Sequence, residues 1–475
     1  MADYKTPGIY VVEKDSFGSS IVSNETAIPI FIGFTEKAVD TEGKPLEKVK
    51  DSTIVTVPVL ISSMLEFENL FGGADVTGRI YITKTTDDDG NAVYSAQNKN
   101  SDGTEIYDPG LIYPSVSNYF TNGGGLCYVL SLGTYSDFSL SFASKINNEM
   151  NFIQMAIEQA ETATLILPTD LIRFGAAHYY SWGTQFINFS QQKKKYFTIM
   201  DVIQADANSS ELNTDDLDQY RNHVNPDALS SSYAGAYFPY LKSLTPYAYR
   251  HDLTNVYLDG NPLSSEESTA IKEDVRAFLA NYYINMPPSP FMAGIYARLD
   301  SATGVWTAPA NVSPTGVTGP LVKITNEEQE TMNVDAVAGK SINAIRSFTG
   351  KGTLVWGART NDGNSMDWRY INVRRLFIAL ETDISMALEA YVFKPNVHNT
   401  WVEVKTMIES YLLGLFNQGA FAGTTPATSY QVLIGLGQTM TDEDVLNGYM
   451  RVSIQVAPVR PAEFIVLTFS QMVGQ

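Results

Sequence analysis

The strongest constraint on the fold is the alternation of segment types between Asp137 and Pro239. "INNEMNFIQMAIEQAETA" has helical spacing, "TLILP" is a short apolar run, "KKKYFTIMDV" is a second one, and "YAGAYFPYL" is an aromatic segment. Helix alternating with a wholly apolar strand is the signature of a sheet covered on both faces. The expected class is therefore α/β with a partly parallel sheet.

The flanks carry further elements. "AIPIFIGFTEKA" reads as a strand closing on Gly33, and "LCYVLSL" as another. Between Asp75 and Gly110, "DDDGN" and "NSDG" punctuate short strand candidates, so a β-hairpin insertion on the surface is expected there. "SSEESTAIKEDVRAFLANYYIN" reads as an amphipathic helix with an acidic first turn, stopped by "MPPSP". A Gly/Pro-rich stretch then runs to about Pro320. In "RYINVRRLFIALETDISMALEAYVF", Ile371, Leu376, Leu380, Ile384, Leu388 and Tyr391 recur at helical spacing. Arg374, Arg375, Asp383 and Glu389 lie elsewhere on its circumference. "KPNVHN" breaks that helix. Thr400 and Glu403 form a capping box for a second, ended by Gly419, with Trp401, Val404, Ile408, Leu412 and Leu415 on one face. "YMRVSIQV" and "EFIVLTF" are the last two strand candidates.

Composition excludes more than it assigns. A net charge of -20 over 475 residues argues against nucleic acid, which needs a basic patch. The tightest basic run, Lys193 to Lys195, reads as a solvated face. The single cysteine, Cys127, leaves no internal disulfide and no thiolate cluster. The start "MADYKTPGIYVVEK" has no basic region followed by an apolar core, so cytoplasmic synthesis without a signal peptide is expected. No run approaches the roughly 18 apolar residues of a spanning helix, and no membrane insertion is expected.

Catalytic motifs are weak one by one. "NGGG" at Asn122 to Gly125 precedes a strand where a phosphate loop needs a helix, and reads as a tight turn. "AGKS" at Ala338 to Ser341 has Val334 where a P-loop needs its first glycine. "DDDG" at Asp87 to Gly90 has Ala96, not Glu, at the twelfth position of a calcium loop counted from Thr85. His178, His223, His251 and His398 are scattered, without metal-ligand spacing. No catalytic residue, metal ligand or cofactor site is expected.

The two ends are the unusual part. Ile9, Tyr10, Val11 and Val12 follow a Pro-Gly turn, and Phe464, Ile465, Val466 and Leu467 follow two prolines. Apolar strands set apart from a globular body are templates for pairing with another chain. Either each tucks back as an edge strand, or each completes a neighbour's sheet by strand addition.

Blocks along the chain resemble the tail sheath proteins of contractile phages and phage-tail-like injection particles. They are "YKTPGIYVVE", "AIPIFIGFTEKA", "VSNYFTNGGGLCYVL", "PPSPFMAGIYARLDSATGVWTAPAN", "GKSINAIRSFTGKGTLVWGART", and "WRYINVRRLFIALETDI" through "FKPNVHNTWVEV" to "VAPVRPAEFIVLTFSQ". The two-component sheath of type VI secretion is a less apt relative, because there the arms and body are divided between two proteins.

The resemblance implies a multi-domain sheath subunit of α/β class, α+β in its C-terminal domain, with strand arms at both ends. It implies an N-terminal arm over 1–20 and an outer domain over 21–345 with the insertion near 75–110. An inner, tube-facing domain over 346–457 and a C-terminal arm over 458–475 follow. Implied partners are further copies of the chain in stacked hexameric rings, an inner tube protein, and baseplate and terminator proteins. The arms would make intersubunit contacts through Ile9 to Val12 and Phe464 to Leu467, with linkers around Ser16 to Ser20 and Ala457 to Pro461. Arg374 and Arg375 are candidate tube contacts. The protein would end up in a phage tail or tail-like particle. A static shell or adhesin, and a hydrolase with an unrecognised carboxylate pair, are the competing classes.

Overall fold

The computed structural model describes residues 21–97, 109–206, 209–263 and 268–464. They pack as two compact units. The larger, the body, comprises 25–379 with 460–464; the smaller comprises 380–459 with 21–24.

The body is built on an eight-stranded sheet. Its strands are β1 (Pro29–Thr35), β2 (Val59–Ile61), β3 (Cys127–Thr134), β4 (Leu165–Leu167), β5 (Phe197–Asp201), β6 (Ala234–Phe238), β7 (Ile342–Phe348) and β8 (Gly352–Val355). The spatial order is β8-β7-β6-β5-β4-β1-β3-β2. The six inner strands run parallel, with Ile30 beside both Tyr128 and Ile166, while β2 and β8 close the edges antiparallel. Every residue of β1, β4, β5 and β6 is buried, as a sheet covered on both faces requires. The expected α/β class holds.

The covering helices include α1 (Ile112–Thr121), α2 (Ala143–Gln159), α3 (Ala176–Lys193) and α4 (Ser289–Thr303). Ile146, Met150, Ile153 and Ile157 form the buried stripe of α2. Helix α1 lies against β1 and α4. A Cβ on Gly294 of α4 would come within 2.6 Å of Asn122 at the end of α1, so only glycine permits that crossing.

The expected hairpin is present as strands Ile80–Thr86 and Ala92–Gln97 around a turn in which the Asp87 carboxylate accepts from the amides of Asp89 and Asn91. The excursion is pinched where the sequence placed its limits, since the Gly110 amide donates to Asp75 at 2.9 Å. It does not stand alone. Val256–Leu258 adds a parallel strand, and Val275 and Leu279 of helix Thr269–Leu279 close a small core over Ile80 and Ile82. That helix has no acidic first turn: it starts at Thr269, capped by Ser268.

Helix α5 (Ile371–Leu388) gives its first part to the body and its remainder to the small unit. The division thus follows Ala379, not 345. The reason is long-range pairing: β7 joins the body sheet through Ile342 beside Ala236, and β8 pairs with β7. In the small unit, α6 (His398–Asn417) buries Val404, Met407, Ile408, Leu412 and Leu415. Its N-cap is Val397, so the Thr400–Glu403 box is not used and Thr400 is buried one turn in. Gly419 follows with φ of 90°, the left-handed stop expected. A two-stranded antiparallel sheet, Tyr430–Leu433 with Ser453–Val456, completes the unit.

Candidate functional site

Of the residues expected to contact other subunits, Ile9 to Val12 and Ile465 to Leu467 lie outside the described residues, as does the Ser16 to Ser20 linker. Phe464 is described and 74% exposed. The chain leading to it is tied down in two places. In the small unit, the Ala422 amide donates to Ala457 at 2.8 Å and Phe421 bridges Pro458, so the first part of the expected Ala457 to Pro461 linker is bonded.

In the body, Glu463 takes a bidentate bond from Arg359, Nε at 2.9 Å and Nη2 at 2.6 Å, and a third from the Tyr370 hydroxyl at 3.1 Å. Arg359 is only 3% exposed. Burial pulls its guanidinium down, but the Glu463 carboxylate outweighs that and leaves it above its ordinary value. Its backbone is fixed to the sheet by Asn343 of β7, which accepts from the Arg359 amide and donates to Ala236 and Arg359 carbonyls. Arg359 and Tyr370 face each other across a backbone bridge, which is why both reach one carboxylate.

Arg374 and Arg375 are brought together in the interior of the body, 5% and 4% exposed. Arg375 pairs with Asp300 at 2.5 Å, lies over the Tyr296 ring and donates to the Thr26 carbonyl at 2.9 Å. Arg374 lies between the rings of Trp368 and Tyr233. Their charges are matched inside the body, so neither lies on an exposed face of it as a tube contact would require.

Two carboxylates sit near the C-terminal ends of parallel strands, where open α/β sheets place ligands. Asp201, at the end of β5, accepts from the Ser289 amide at 2.7 Å and hydroxyl at 2.6 Å, at the start of α4. Asp170 accepts from Phe34 at 2.8 Å, near the end of β1, and from Leu111 at 2.7 Å, the cap of α1. Burial pushes each up to about 7 against those N–H donors. Both bind helix starts to strand ends, and both are about 1% exposed or less. A cavity of about 470 Å³ lined by Asp75, Gly110, Tyr113, Asn118 and Thr245 also has an internally bonded polar lining. Among the described residues no group of three or more His, Cys, Asp or Glu could hold a metal, and no helix is long and apolar enough to cross a membrane.

The other sequence motifs have structural uses. "NGGG" is the turn ending α1, with Gly123 at φ of 96°. Lys340 of "AGKS" donates to the Asn225 side chain at 2.7 Å. His178 stacks on Trp182, and His398 meets Trp401 edge-on.

Sequence reasoning missed two features of the small unit. In its two-stranded sheet, Tyr430–Leu433 and Ser453–Val456 have only each other as ladder partners among the described strands. Phe393, just after α5, is fully exposed and holds a left-handed φ of 66°. A bulky residue in that conformation is a genuine outlier.

Residues 364–471 match the phage tail sheath C-terminal domain family. The tail sheath protein of Vibrio phage KVP40 is 27% identical over 185 residues, which are 39% of this chain and 26% of that protein. The alignment thus spans about a quarter of that relative's length. Solved structures match end to end. The PVC sheath complex of an extracellular contractile injection system, in its contracted state, is 28% identical with a TM-score of 0.64, covering 100% of this chain and 99% of that one. The helical sheath of the anti-feeding prophage, also contracted, is 28% identical with a TM-score of 0.64, covering 99% and 100%.

Proposed function

We propose that this chain is a contractile tail sheath subunit that polymerises helically around an inner tube and contracts to drive that tube through a target envelope. The observation that carries the reading is the end-to-end likeness to two contracted sheaths of injection systems. The role is structural. The energy for shortening resides in the lattice: an extended packing held metastably gives way to one that buries more surface between subunits.

Subunits stack as hexameric rings and stay joined by strand addition. Ile9 to Val12 and Phe464 to Leu467 are the donated strands, and the two-stranded sheet of the small unit is the acceptor. Two strands alone are marginal in water, whereas main-chain hydrogen bonds to added strands complete such a sheet. The inner tube, a baseplate and a terminator are the other partners, and the particle is a phage tail or a tail-like injection device.

Negative-stain electron microscopy of the full chain, beside a chain ending at Phe464, tests this. Tubes of regular pitch from the full chain with its tube protein, and only single subunits from the shortened one, are expected. Equal assembly by both would remove the C-terminal strand from the mechanism. Absence of tubes from the full chain would remove the sheath reading.

A further inference from the structure

The two arm roots are held differently. The N-terminal root is held in the small unit, where the Asn24 amide and side chain, five residues before β1 begins, both donate to Asp383. The C-terminal root runs along the body: from Ala462 to Phe464 the described chain has no regular secondary structure. Two ion pairs reach this segment from the body. Arg460 to Asp367 spans 3.8 Å with both side chains well exposed, a pair of little worth. Arg359 to Glu463 is bidentate, with side chains 4% and 18% exposed, and Tyr370 adds a third bond.

We propose that the Arg359–Glu463–Tyr370 cluster is a latch that fixes where the C-terminal arm leaves its own subunit, so that the donated strand starts from a defined point. The inference rests on the sheath reading. Its physical basis is reach: each residue of slack in an extended chain moves a strand by about 3.3 Å, and a one-residue slip turns every side chain to the wrong face. Arg359 can serve as the fixed point because Asn343 binds its backbone to the central sheet. Glu463 is the part that can let go, since it sits outside the sheet.

The test uses the full chain. Glu463→Gln keeps the shape and removes the charge, and Glu463→Asp keeps the charge and shortens the reach. For Glu463→Gln, amide hydrogen exchange at 462–464 should rise about tenfold with the melting temperature of the body unchanged. Tube yield with the inner tube protein should fall about as much, with Glu463→Asp partly restoring it and Tyr370→Phe losing less. Unchanged exchange, or faster exchange with undiminished tubes, would overturn the latch and leave the sheath reading standing. If the unaltered chain forms no tubes, the sheath reading falls and takes the latch with it.

Discussion

The body and the small unit differ in how completely their sheets are buried. In the body, four central strands are buried along their whole length. In the small unit, Val392, Phe393, Leu446 and Tyr449 are all more than half exposed. One of these, Phe393, also holds a backbone conformation that side chains avoid. The body sheet is thus covered on both faces, whereas in the small unit's two strands only Val432 is buried.

Substitutions that separate stability from assembly would sharpen this contrast. The largest effect is expected in the body. Phe31 is 1% exposed in the middle of the sheet, so Phe31→Ala should destabilise by about 3–5 kcal/mol, read as a large fall in melting temperature. A small change there would break the picture of a close-packed body.

The next effect depends on pH. Burial raises the carboxyls of Asp170 and Asp201 from 3.8 to about 7. The folded chain therefore holds these protons more tightly than the unfolded one. Their contribution to stability is fully present below about 4 and is lost as pH rises toward about 7. The melting temperature of the unassembled chain should fall over that window. Asp201→Asn should flatten the slope by the equivalent of about 1–4 kcal/mol. An identical slope in the variant would show that other groups set it.

The smallest stability effect is expected at Phe393. Phe393→Asn should relieve the left-handed strain and stabilise the unassembled chain by about 1 kcal/mol, because asparagine tolerates that conformation. The same change should lower tube yield. Gain in both would mean that the exposed ring has no partner in the lattice.

Much of this was legible locally. The strand in "AIPIFIGFTEKA", the helix of Ile146 to Ile157 and the turn at "DDDG" were readable because period, burial and turn chemistry act within a few residues. The α5 spacing was also right, with Ile371, Leu376, Leu380 and Ile384 all buried. What the spacing did not reveal is where the charged residues on the rest of its circumference go. Arg374, Arg375 and Asp383 are buried too, because Trp368, Asp300 and Tyr411 supply partners that no helical period reveals. The capping box failed for a subtler reason: Thr400 and Glu403 have the right types, but the helix had already begun at His398.

By itself, then, the sequence determined the alternating elements, the apolar strands of the sheet and the resemblance carried by ordered blocks. It did so because these depend on local pattern. The tertiary structure alone decided that β7 and β8 belong to the body, that the hairpin shares a core with Val275 and Leu279, and that Glu463 meets Arg359 across 104 positions of chain. Such pairings follow from which surfaces the packed sheet brings face to face, and spacing along one strand or helix carries no record of them.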